Sequence, residues 1–278
     1  MNCSRFLDDS FESINTPGYR LSIRCSTGGF SFLVSDPSTL RHLMLSEHSF
    51  PSVTPYSFKL EFLNALKQEP VLNLRFQETR IGWQSSREML VPDNLIPSDR
   101  ENLLFNSILE NKRDETIYTA AFQEKTCSFV FALPNLIRDL FRDLYPNCQF
   151  FPQSLATFQP ITNGEHTLSI RVDKWQHDLT IAVFQNKKIS FLNHFFVKSE
   201  TDCLYYMLQV SRLFVSGPET ELILSGRIDP KSELAERVKK RFPRIVWAQH
   251  VPPWVPSYTF HAEPAHYHFP LTQLAICG

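Results

Sequence analysis

Leu21-Ser22-Ile23-Arg24 returns later in the chain as Leu168-Ser169-Ile170-Arg171, and the runs downstream of each copy decide the fold. Each copy leads into a turn, then an apolar-alternating run (30–34; 179–184), then a second such run (40–45; 189–197). Alternation with period two puts one face of each run in a core, so each copy reads as three consecutive strands. A helix start comes next. In the first copy Thr54 stands at N-cap with Pro55 at N1, and in the second Ser199 caps with Asp202 at N3. From the leading leucine to the cap is 33 residues in one copy and 31 in the other. Four identical residues prove little, but the matching element order and spacing predict an internally duplicated β-β-β-α unit.

Working outward, the first half has added material: strand-like 71–76 and 79–83, a helix opening on a Ser98-x-x-Glu101 capping box, and strands over 116–122 and 126–132. The helix after Pro134 has the clearest pattern. Leu136, Ile137, Leu140, Phe141 and Leu144 form one stripe, Arg138, Asp139, Arg142 and Asp143 face water, and Pro146 ends it. The second half continues with a strand over 221–224, a helix with Asp229 as N-cap and Pro230 at N1, and a strand over 244–248. The tail, rich in Pro, His and aromatics, is expected to wrap as an irregular segment. Pro160, Asn163 and Gly164 interrupt the pattern within 159–165, which divides the chain into 1–160 and 161–278.

Composition bounds the function classes. The chain has 278 residues, 42% of them hydrophobic, enough for sizeable cores. With 28 basic and 29 acidic residues the net charge is −1, so no single-sign field draws the molecule to nucleic acid, and none is expected as a partner. Residues 1–10 carry acids and no signal-type apolar run, and no stretch reaches the roughly 18 apolar residues of a membrane helix. Six scattered cysteines without a C-x-x-C pair fit reduced thiols. The expectation is a cytoplasmic protein without membrane insertion. There are 24 Phe but only 8 Gly, against the ~7% glycine of average proteins, and phosphate-cradling loops generally need glycine.

Three strands, a helix, then alternating strand and helix, all duplicated, is the order of the ribonuclease H-like half-domain of actin-like ATPases. By this order and its LSIR strand starts, nearly the whole chain resembles an uncharacterised bacterial family with an actin-like ATPase fold. The resemblance implies an α/β protein of two β-β-β-α-β-α subdomains with mixed sheets, and three nucleotide-holding elements to look for. The first loop has D-x-G-[ST] in the family; here Arg24-Cys25-Ser26-Thr27-Gly28-Gly29 puts Arg24 about where the carboxylate belongs, and a cation cannot ligate a metal. In the second, Arg171-Val172-Asp173-Lys174-Trp175-Gln176-His177, Asp173 is the one group that could meet Mg²⁺. That loop lacks glycine, and Trp175 would obstruct phosphate. The adenosine-side glycine pair is reduced to Gly226 followed by Arg227.

All three elements are degraded. The expectation is an interaction or scaffold protein with a degenerate cleft and a protein partner, more a binding module than an enzyme. The alternative is an ATP-binding protein with weak or switch-type ATPase activity, in which Thr27, Gly28 and Gly29 hold phosphate, Asp173 acts through Mg²⁺ and Gly226 lies near adenine. A ribonuclease H-type nuclease needs a carboxylate on its first strand, and both first strands carry Arg there.

Other chemistry reads weakly. His261, Glu263, His266 and His268, with His250 upstream, are the only metal-like cluster; His266 and His268 would share one face of an extended strand, but loop histidines are more often surface or stacking residues. No G-x-S-x-G or H-E-x-x-H frame is present. Cys203, in the opening turn of the Ser199 helix, is read as a buried, inert thiol. Phe30, Phe32, Phe191, Phe195 and Phe196 are assigned to the core, and Trp254, Tyr258, Phe260, Tyr267 and Phe269 to a tail packed on a sheet edge.

Overall fold

The computed structural model describes residues 3–51, 54–96, 101–110, 112–122, 126–159, 168–214, 217 and 219–277. The expected cap Ser98, Pro160 and the 161–165 part of the boundary lie outside them. The first sheet uses β1 (Cys3–Leu7), β2 (Arg20–Ser26), β3 (Gly29–Asp36) and β4 (Arg41–Ser49), and the chain then enters α1 (Pro55–Gln68). Next come β5 (Glu78–Trp83), β6 (Glu88–Pro92), α2 (Glu101–Ile108), β7 (Glu115–Phe122), β8 (Cys127–Pro134), α3 (Asn135–Leu144), β9 (Gln149–Pro152) and the short α4 (Gln153–Thr157). The second run is β10 (Leu168–Trp175), β11 (Asp178–Gln185), β12 (Lys188–Phe196), α5 (Glu200–Leu213), β13 (Glu221–Gly226), α6 (Glu233–Arg241) and β14 (Arg244–Trp247). β15 (Val255–Pro256) and α7 (Ala265–Ile276) close the chain.

These elements form two compact units. Unit 1 holds Met1–Ala156, His250–Ala262 and Leu271–Gly278; unit 2 holds Thr157–Gln249 and Glu263–Pro270. In unit 1 the strand order is β1-β4-β3-β2-β5-β9, with β15 added on β4, beside a separate three-stranded sheet β6-β8-β7. In unit 2 it is β12-β11-β10-β13-β14. The repeated tetrapeptides occupy the same place in both: β2 pairs antiparallel with β3 and parallel with β5, and β10 pairs antiparallel with β11 and parallel with β13.

The high Phe content has a use in unit 1. Phe30 and Phe32 of β3, Phe58 and Phe62 of α1 and Phe141 of α3 are all fully buried, with ring centroids 4.7 Å apart for Phe30–Phe62 and 5.1 Å for Phe62–Phe141. Each such side chain contributes about 1.5–3 kcal/mol on burial. In unit 2 aliphatic residues take this role: Ile170 and Val172 of β10, Ile181 of β11, Met207 of α5 and Leu234 of α6. There Phe191 and Phe195 are partly buried, but Phe196 is 64% exposed at the end of edge strand β12, against the core assignment.

Both expected caps form. Thr54 accepts from the Ser57 amide (3.2 Å), and Ser199 accepts from the Asp202 amide (3.2 Å) while the Asp202 carboxylate accepts from the Ser199 amide (3.1 Å). The cap of α6 is Ser232, three residues beyond Asp229. Asp229 instead closes a turn, accepting from the Lys231 amide on its side chain and the Ser232 amide on its carbonyl. Residues 71–76 are not a strand. Pro70 opens a 3-10 turn, Pro70–Asn73, whose Leu72 amide returns to the Glu69 carbonyl.

The tail is more ordered than its composition suggests. β15 adds to β4, Phe260 is buried in the 3-10 turn Tyr258–Ala262, and α7 runs for 12 residues with Pro270 inside it. In unit 1 the carbonyls at the end of α7 meet two arginines. Arg20 donates to the Ala275 carbonyl, Arg80 to those of Ala275 and Cys277, and Glu78 pairs with both guanidiniums. Cations suit a helix C-terminus, where carbonyls lack intrahelical donors.

Candidate functional site

The two first strands place an arginine at the same position. In unit 1 Arg24 is buried on β2, and its Nε (3.2 Å) and Nη2 (2.5 Å) both donate to the Gln84 side-chain oxygen just beyond β5. In unit 2 Arg171 is buried on β10, donates from Nη1 to the Gln159 carbonyl (2.7 Å), and lies 4.0 Å from the Phe184 ring centroid. Burial pushes the Arg171 guanidinium down to about 10, partly opposed by the charge of Glu221. Gln84 thus answers Arg24, and the Gln159 carbonyl and the Phe184 ring answer Arg171.

The expected phosphate loop of unit 1 is the β2–β3 turn. Thr27 and Gly28 are half-buried and Gly29 is buried at the start of β3. The turn is already bonded within the protein: the Gly28 amide donates to Ser26 Oγ (3.3 Å), and its carbonyl accepts from the Phe50 amide (2.8 Å). Beside it, Gln84 donates its backbone amide hydrogen to the Cys25 carbonyl.

In unit 2 the structure brings Asp173 and Gly226 together. Asp173 is buried near the end of β10, 3.2 Å from Ser225 Oγ, whose hydroxyl also lies 3.0 Å from the Val172 carbonyl. Gly226 ends the parallel neighbour β13 at φ +77°, where a Cβ would collide with the Lys174 carbonyl and stand 2.6 Å from Asp173 Oδ1. Close approach of two strands therefore accounts for this glycine. Trp175 is buried, and the tight Gln176-His177 turn after it has Gln176 at φ +53°.

The histidine segment is helical, not extended, so His266 and His268 do not share a face. His266 Nε2 lies 2.9 Å from the Ile228 carbonyl with its ring against Trp247; burial lowers its pKa, with smaller effects from the Ile228 bond, which raises it, and nearby His268 and Arg227, which lower it. His268 Nε2 lies 2.9 Å from Glu263 Oε2, which also accepts from Arg227 (2.9 Å). Burial pushes Glu263 up, but the His268 bond and the Arg227 charge outweigh it and hold the carboxyl below its ordinary range. Among the described residues no three His, Cys, Asp or Glu side chains gather as metal ligands. Cys203 is fully buried, and burial pushes its thiol up.

One polar cluster has no counterpart in the sequence reading. Ser46 Oγ and His48 Nε2, both on β4, lie 3.0 and 3.2 Å from Glu69 Oε1 at the end of α1, and Arg5 stands 3.6 Å from Oε2. Burial would raise Glu69, but the His48 and Ser46 bonds and the Arg5 charge keep it below the usual carboxylate range. Serine and histidine converge on one buried oxygen, whereas a nucleophile relay needs the imidazole between hydroxyl and acid. The i, i+2 spacing of Ser46 and His48 is readable in the sequence; the arrival of Glu69 is not.

Residues 8–245 match the family described as "Protein of unknown function (DUF3822)". The chain belongs to that family. No curated protein matches this DUF3822 chain. Among solved structures it is similar to a Bacteroides thetaiotaomicron protein with actin-like ATPase fold and unknown function: 18% identity, TM-score 0.77, covering 96% of this chain and 99% of that one. It is also similar to a chain of the PilM–PilN type IV pilus biogenesis complex (10% identity, TM-score 0.64, 92% and 97% covered). A third is the ethanolamine utilization protein EutJ from Carboxydothermus hydrogenoformans (10% identity, TM-score 0.53, 98% and 93% covered). The DUF3822 chain has the actin-like ATPase, ribonuclease H-like fold, with mixed sheets as expected.

Proposed function

We propose that this DUF3822 protein is a non-catalytic interaction or scaffold protein whose nucleotide cleft is retired. The observation that carries the reading is Arg24: a buried cation, bonded to Gln84, at the position where the resemblance asks for a metal-organising carboxylate. The other elements support it. The Gly28 amide is already bonded to Ser26, and Gly226 answers to Lys174 and Asp173 rather than to open space. These residues do not fit Mg-nucleotide. A chain of similar fold takes part in the PilM–PilN complex, which supports a protein as the partner.

We further infer that 1–160 and 161–278 descend from one duplicated unit, supported by the equivalent places of Leu21–Arg24 and Leu168–Arg171 beside antiparallel and parallel neighbours. The relatives from Bacteroides and Carboxydothermus support a bacterial source. The reduced thiols of Cys25, Cys127, Cys148, Cys203 and Cys277 suit the cytoplasm. No helix among the described residues is long and apolar enough to cross a membrane.

Titration calorimetry of the whole protein with Mg-ATP and Mg-ADP, alongside phosphate release, tests the reading. The expected outcome is no heat and no turnover up to millimolar ligand. Binding tighter than about 100 μM that is lost in Thr27→Ala or Asp173→Ala overturns it in favour of a nucleotide switch.

A further inference from the structure

The three-stranded sheet inserted in unit 1 has an edge without the usual protection. β7 pairs only with β8, and among the described residues no strand lies on its other side. Edge strands are normally kept from further pairing by lysine, proline, a bulge or short length. β7 runs for eight residues, Glu-Thr-Ile-Tyr-Thr-Ala-Ala-Phe, with no Lys and no Pro, and its register against β8 is unbroken. Its residues 115–121 are all half-buried or exposed. Threonine, isoleucine and tyrosine favour an extended partner, and the row of open backbone groups gives that partner something to bond.

At the N-terminal end of this edge lies a cavity of about 470 Å³ whose lining includes Arg87, Asn106, Lys112, Arg113, Glu115 and Thr116. Its one carboxylate is already answered: Arg87 Nε donates to Glu115 Oε2 (2.7 Å) and its Nη2 to the Glu110 carbonyl (2.6 Å), with the guanidinium 5.6 Å from the Phe105 ring centroid. Lys112 and Arg113 have no ion-pair partner among the described residues, and both are exposed. Asp114 and Glu110 flank them in sequence but do not line the cavity, whose lining therefore carries two cations, Lys112 and Arg113, beyond the Arg87–Glu115 pair at the entrance to an open strand edge. The charge calls for carboxylates and the edge calls for an extended chain.

We propose that β7 and this cavity form a docking site for an acidic peptide segment of a partner protein, which adds to the edge of β7 as a fourth strand and sets an Asp or Glu side chain against Lys112 and Arg113. The site rests on the reading of the protein as an interaction module and gives that module a location and a partner chemistry. Backbone pairing supplies affinity with little sequence demand, and the cations select the sign of charge and the register.

The test is an amide-resolved NMR titration of the full chain with a synthetic peptide of about ten residues, a Val/Thr run flanked by glutamates. The same peptide with lysine for glutamate serves as control. The expected result is shifts confined to Lys112–Phe122 and neighbouring Arg87, with a Kd of roughly 1 mM or tighter. The lysine peptide should bind at least about tenfold more weakly, and K112E/R113E, which changes only exposed side chains, should weaken the acidic peptide by about fivefold or more. Absence of shifts along β7, shifts centred elsewhere, or equal affinity for the double variant overturns the proposal. Mg-ATP added to a parallel sample separates the two readings: nucleotide shifts would sink the retired cleft and leave the peptide result standing.

Discussion

Arg24 delivers two of its N–H groups to one oxygen of Gln84, and the side-chain nitrogen of Gln84 has no hydrogen-bond partner among the described residues. The pair is buried and joins the ends of two parallel neighbours, β2 and β5. Arg24→Ala leaves a void and a buried oxygen without its donors, so a loss of about 2–4 kcal/mol is expected in urea unfolding. Arg24→Asp puts a carboxylate where the resemblance asks for one, but replaces neither the volume of the guanidinium nor the donor to Gln84. The expected outcome is a destabilised protein that still gives no heat with Mg-ATP in calorimetry.

Gly226 faces the Lys174 carbonyl and the Asp173 carboxylate where any side chain would begin, and its backbone is left-handed. Gly226→Ala is expected to cost roughly 2–4 kcal/mol, combining strain with displacement of β10. Arg227→Ala removes a half-buried pair with Glu263 and a guanidinium contact with the Tyr267 ring, and should cost about 1–2 kcal/mol. Chemical denaturation of the two variants in parallel separates these, and a Gly226→Ala as mild as Arg227→Ala would show that the strands part easily.

His42 gives the protein an acid-sensitive point well above the carboxylate range. Burial, aided by the charge of His250, pushes its pKa down from 6.5 to about 3, with Nδ1 2.8 Å from Ser35 Oγ and the ring stacked on Trp254. Between those two values the unfolded chain binds a proton that the folded one does not, so stability is full above pH 6.5 and falls as the pH drops towards 3. The expected slope is about 1.4 kcal/mol per pH unit from this residue. His266, also lowered, acts in the same direction. Unfolding free energies at pH 7, 6 and 5 for wild type and His42→Gln check this: the variant should be less stable at pH 7 and show a shallower slope.

The parts of the fold legible in the sequence are those set by local rules. Period-two alternation marks the strands of both repeats, and Thr54 and Ser199 mark helix starts because capping needs only residues close in sequence. The α6 start differs from expectation because Asp229 has two local uses, cap or turn, and the choice depends on where α5 supplies Glu200 to the Leu234 amide. The tail departs from its irregular reading because its prolines and histidines mask a helix stabilised by distant contacts, His266 to the Ile228 carbonyl and Phe269 to Ile223 and Ala248. At the site, Arg24 is recognisable as a wrong charge. Its partner Gln84, 60 residues away, has no local signature.

The arginines that meet the end of α7 have a consequence for how the protein is made. Arg20 and the Ala275 carbonyl are separated by 255 residues, and Arg80 and the same carbonyl by 195. A ribosome releases β2 and β5 long before the backbone that accepts from them, and β15 follows β4 after a similar delay. Domains commonly fold as units in the order of synthesis. Unit 1 does not meet that condition: the nascent segment 1–156 can pair Arg20 and Arg80 with Glu78 but lacks the α7 carbonyls and β15, so its sheet stays incomplete until the intervening residues of unit 2 have been made.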